Sequence, residues 1–145
     1  MINTSDRTAA FGRILIAVLF LMSGIGKIAA PAATLGYINS VGLPAPLLAY
    51  LGSTLAEVGG GLLLILGFRV RPVATGMAIF TMITAFVFHT NFTDQNTMVH
   101  FLKNVAITGG LLQVAAFGAG SFSLDARRER REAASFGRRP QALSA

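Results

Sequence analysis

Apolar residues run through this chain in four long stretches, separated by short breaks that are polar or rich in glycine and proline. The stretches extend from about Phe11 to Ile28, Leu47 to Gly67, Pro72 to Phe88 and Val99 to Phe117. At a helical rise of about 1.5 Å per residue, the second reaches about 31 Å, the thickness of a bilayer's hydrocarbon layer. The third reaches only about 25 Å and needs flanking residues or local thinning to span. The pattern predicts an all-α integral membrane protein, a four-helix bundle.

The breaks predict how the segments connect. Gly67 suits the end of one helix and Pro72 the start of the next, so the second and third segments form a helical hairpin. Between Ala29 and Pro46 lie Pro31, Gly36, Gly42 and Pro44, which leave room only for a short interfacial helix near Thr34 to Val41, in the first outer loop. The break from His89 to Met98 is polar and carries no basic residue. After Phe117 comes a run of small residues ending at Asp125, and then an arginine-rich tail. The expected organisation is a membrane domain over residues 1–125 and a basic cytoplasmic tail over 126–145, disordered or lipid-associated.

Composition agrees with this and removes several chemistries. The 145 residues are 53% hydrophobic and 12% charged, with a mean hydropathy of +0.63. A soluble domain carries about 25% charged residues, and half that fraction leaves too little polar surface to cover a core. Four spans of roughly 20 residues use most of the chain, so no second domain fits. Cysteine is absent, which excludes thiolate catalysis, disulfide exchange and cysteine-ligated clusters or zinc. Two histidines and six carboxylates argue against a multi-ligand metal site.

Charge then predicts orientation. Arg7, Arg13, Arg69, Arg71, Arg127, Arg128, Arg130, Arg131, Arg138 and Arg139 all fall on one side of a four-span arrangement, with only Lys27 and Lys103 near the other. This positive-inside bias puts both termini and the Arg69/Arg71 turn in the cytoplasm. A cleaved signal peptide is the competing reading of the first segment, but Lys27 and Pro31 make poor cleavage surroundings. The tail attracts anionic lipid. Nucleic acid is not expected as a partner, because no aromatic residues interleave the basic run and no folded basic module accompanies it.

Three charged residues remain that topology does not explain. Glu57 lies at the centre of the second segment, where an ionised side chain costs about 2.5 to 3.5 kcal/mol. Lys27 lies at the outer end of the first segment and Lys103 about 6 Å inside the outer end of the fourth. His100, Lys103, Asn104 and Ile107 share one face of the fourth helix. Gly24 precedes Lys27 by one turn, and Gly60 and Gly61 follow Glu57, so small residues permit close helix approach. The expectation is a polar cluster of Lys27, Glu57, His100 and Lys103 in the outer half of the bundle, with His89 and Asn104 at its rim. The alternatives are lysines that snorkel to the headgroups, a structural carboxyl at Glu57 and histidines that only face the interface.

The residues Ser23-Gly24-Ile25-Gly26-Lys27, Gly42-Leu43-Pro44, Glu57-Val58-Gly59-Gly60 with Gly67, Lys103, and Gly118 to Asp125 together resemble the DoxX family of bacterial inner-membrane proteins. The resemblance covers about residues 11 to 125. It implies a four-span bundle with Lys27 and Glu57 among the characteristic residues, and association with redox or detoxification complexes. It adds a reason to think of a quinone or a small anion at the cluster, although no cofactor is firmly implied. The function expected is that of a membrane subunit or accessory protein supporting a redox partner, itself not a self-sufficient enzyme and open to homo-oligomer formation. A small proton-coupled transporter and a purely structural membrane partner are the alternatives.

Overall fold

A computed structural model describes residues 4–136. Six helices follow one another: α1 (Thr4–Ala29), α2 (Pro31–Ser40), α3 (Pro46–Leu66), α4 (Val70–Phe88), α5 (Gln95–Phe117) and α6 (Leu124–Phe136), with no strand among the described residues. The all-helical expectation holds. Arg138 and Arg139, with the end of the expected tail, lie outside the described residues.

Helix ends differ from the apolar boundaries because polar caps extend helices past the last apolar residue. Asp94 caps α5, its carboxylate accepting from the Thr97 backbone N–H at 2.8 Å, so the helix begins at Gln95 rather than Val99. The start of α4 is Val70 and not Pro72. Its first N–H groups are held by a distant residue, Asp125, whose two carboxylate oxygens accept from Arg69 N at 2.8 Å and Val70 N at 2.9 Å. With 19 residues, α4 spans about 28 Å, longer than the apolar run alone allows. Gly67 ends α3 in the left-handed region (φ 68°), where Phe68 N bonds back to Leu63 O at 3.1 Å, a turn that favours glycine.

Three helices, α1, α3 and α4, are long and apolar enough to cross a membrane. Helix α5 matches them in length with 23 residues, but His100, Lys103, Asn104 and Gln113 lower its apolar content. The main packing runs along α1 with α3 and along α4 with α5, while α3–α4 and α1–α5 contacts join the two pairs. Ala17, Phe20, Leu64, Val70, Ala74, Met77, Ala78 and Leu111 form the buried core. The small-residue row Ala74, Ala78, Thr81, Ala85 is buried along α4. Outside, large apolar side chains such as Leu55, Met22 and Phe86 stay exposed. Arg13 and Glu57 are buried. Apolar residues outside and charges inside suit a protein whose surroundings are hydrocarbon.

The start of α1, the α3–α4 turn, the end of α5 and the start of α6 meet at one end of the molecule. Helix α6 occupies part of the expected tail, Leu124–Phe136. Ser123 caps it through Ala126 N at 3.1 Å, and Arg128 and Glu132 pair across one turn at 2.9 Å.

Candidate functional site

At the opposite end, the last turn of α1 meets the middle of α3. Lys27 Nζ donates to Glu57 Oε2 at 2.6 Å and Oε1 at 2.7 Å, and to Ser23 Oγ at 3.1 Å. The Glu57 side chain is 8% exposed and that of Lys27 22%. Lys27 therefore folds toward the carboxylate and does not snorkel outward. The sequence arranges this through Gly24. A Cβ there would lie 2.6 Å from Val58 Cγ2 and 3.3 Å from Glu57 Cβ, so only glycine lets α1 and α3 approach closely enough for the pair to form. Farther along the same contact, a Cβ on Gly61 would lie 3.1 Å from Ala17 O.

Beside the pair opens a cavity of about 820 Å³. Its walls come from all of α1 to α5 and are mainly apolar, with Leu19, Phe20, Ile83, Val87 and Ile107 among them. Thr34, Tyr37 and Ile38 of α2 contribute to its lining, and Tyr37 stacks on Phe88 at 5.5 Å, tying α2 to the end of α4. The Tyr50 hydroxyl donates to Lys27 O at 3.4 Å. The polar groups that reach the cavity include Lys27, Glu57, Lys103, Asn104 and His89. A mainly apolar cavity with a few convergent polar groups is the form of a small-molecule site.

The expected cluster is thus assembled in part. Lys27 and Glu57 touch, and Lys103 lines the same cavity. His100 does not line it. It turns to Lys103, whose Nζ lies 3.0 Å from His100 Nδ1; an ammonium only donates, so that nitrogen accepts. His89, expected at the rim, lines the cavity and stacks on His100 at 5.3 Å. Burial, and after it the electrostatic influence of the neighbouring His100 and Lys103, holds the His89 imidazole below its ordinary pKa, against a hydrogen bond with the Phe88 backbone that raises it. Asn104, also expected at the rim, is buried against the cavity, and its amide bonds to no protein group among the described residues. The i, i+4 spacing from His100 to Asn104 does place them on one side of α5, but the helix is rotated so that Asn104 points inward most.

Along the chain Arg13 counts only among the arginines that set orientation. It is instead 2% exposed. Its Nη2 donates to Phe122 O at 2.8 Å and its Nη1 to Ala119 O, while Nε is buried without a partner among the described residues. Gly118 (φ 85°) and Gly120 (φ 70°) bend the chain so that these carbonyls face the guanidinium. The signal was present, since Arg13 interrupts an otherwise apolar run that begins at Phe11.

The sequence model of the DoxX family matches residues 8–90. Inner membrane protein YqjF of Escherichia coli K12 is 42% identical over 125 residues, which cover 86% of this chain and 95% of that protein. Inner membrane protein YphA of the same organism is 35% identical over 121 residues, covering 79% and 86%. No solved structure matches the chain.

Proposed function

The chain belongs to the DoxX family, and we propose that its cavity binds a quinone-like molecule in support of a redox partner. The carrying observation is the Lys27–Glu57 pair at the wall of an apolar cavity of about 820 Å³. Because Glu57 holds Lys27 with both oxygens, the pair is electrically neutral as a unit. A small anion would have to displace the carboxylate to reach Lys27. A neutral ring with carbonyl oxygens needs only hydrogen-bond donors, which the Asn104 amide and Lys103 ammonium supply at one side of an apolar slot. Reduction of a quinone also takes up protons, and a lysine–carboxylate pair at the wall is a route for them.

In this reading α1, α3, α4 and α5 cross the inner membrane as a four-helix bundle with the arginine-bearing end in the cytoplasm. Support comes from Arg7, Arg13, Arg69, Arg71 and the arginines of α6, which belong to segments that meet at one end.

Protein purified from native membrane and extracted with solvent is expected to release a quinone. Lys27→Met combined with Glu57→Gln removes both charges together, and Asn104→Leu removes the free amide without touching the pair. Both variants are expected to lose retained quinone while unfolding cooperatively in detergent. Equal retention by the folded variants, or no quinone from the unaltered protein, sinks the reading.

A further inference from the structure

We propose that the arginine-bearing end holds one anionic phospholipid in a groove between the end of α3 and the first two turns of α6. The groove, about 480 Å³ in volume, is bounded by Leu66, Phe122 and Leu124 and by Arg127 and Arg130. The three apolar side chains are exposed. Leu66 is the last residue of α3, a helix apolar enough to cross a membrane, so the groove lies at the boundary between hydrocarbon and headgroups.

Charge on α6 is divided between two faces. Asp125, Arg128, Glu129 and Glu132 border a different groove, where Arg128 is engaged by Glu132 at 2.9 Å. Arg127 and Arg130 have no acidic partner among the described residues; Arg130 Nη2 donates only to the Ser121 carbonyl, at 3.2 Å. Two uncompensated guanidinia beside an exposed apolar edge complement a phosphodiester with its acyl chains, the phosphate accepting from the arginines and the chains lying against Leu66 and Phe122. The groove is also preorganised. Asp125 ties the first turn of α6 to Arg69 N and Val70 N and donates its own N–H to Gly67 O at 3.0 Å, so the arginines keep their position relative to α3.

The full chain is reconstituted in nanodiscs of mixed phosphatidylglycerol and phosphatidylcholine with identical chains, transferred to detergent, and its retained lipid quantified. Phosphatidylglycerol is expected at about one per chain, falling about tenfold or more in Arg127→Gln with Arg130→Gln. Arg69→Gln with Arg128→Gln, which removes the same charge from the other groove, is expected to keep it. Equal retention by the first pair of substitutions, equal loss in the second, or no preference over phosphatidylcholine overturns the proposal. Binding of inorganic phosphate by the lipid-free protein, lost in Arg127→Gln with Arg130→Gln, overturns the lipid assignment in favour of a soluble anion.

Discussion

The two ends of the molecule bury charge in opposite ways. At one, Arg13 gives its guanidinium to backbone carbonyls of Ala119 and Phe122, and the chain closes around it. At the other, Lys27 and Glu57 neutralise each other at the edge of a cavity and leave Asn104 and Lys103 facing it. A cation buried behind backbone oxygens presents no group to another molecule, so it fixes one conformation. A pair at the wall of an apolar volume holds its charge within reach of a ligand.

The largest effect separates these roles. Arg13→Met strips two buried carbonyls of charged donors, each bond contributing about 1.5 to 3 kcal/mol. Thermal unfolding in detergent is expected to show a loss of about 3 kcal/mol or more, with any surviving folded fraction still able to retain quinone. A melting temperature unchanged within error would erase the contrast.

A smaller effect is expected from Gly24→Val, which wedges α1 away from Val58 at a cost of about 1 to 3 kcal/mol. The comparison sharpens in a double-mutant cycle. If Gly24 acts by bringing Lys27 to Glu57, Lys27→Met costs less stability in the Gly24→Val background than in the parent. Strict additivity would detach the glycine from the pair.

The smallest effect concerns pH at the cavity end. The folded pKa of His89 lies below its unfolded value of about 6.5, so the folded state binds fewer protons there. Stability is fully present above about pH 6.5 and is lost as pH falls from that value through the folded pKa. Unfolding followed between pH 7.5 and 5 is expected to show a modest loss that His89→Gln reduces. The same acid slope in that variant would assign the effect to other groups.

Helices α1 to α5, their approximate bounds and the membrane setting were legible along the chain because apolar periods of this length have few other solutions in water or lipid, whereas α6, charged and without an apolar period, fell in the expected tail. Lys27 and Glu57 were legible as members of one polar cluster because each is costly in hydrocarbon and each has glycines within a turn. The exact starts of α4 and α5 were not, because capping by Asp94 is local but polar, and capping of α4 by Asp125 reaches across 55 residues. Asn104 and His100 share a face of α5 in one dimension. Which of them enters the cavity depends on the rotation of α5 against α4, and spacing within a helix carries no information about that angle.

Sequence alone determined that the chain is helical and membrane-embedded and that Lys27 and Glu57 need partners, since the cost of charge in an apolar helix depends only on residue type and depth. Only the tertiary structure decided what each charge meets. Arg13 and Arg127 both count along the chain as orienting charges, yet one is enclosed by carbonyls that a glycine-rich turn brings back from more than a hundred residues away, and the other stands open beside α3. The physical reason is that a guanidinium's role is set by the acceptors around it, and those come from segments that are neighbours in space and not in sequence.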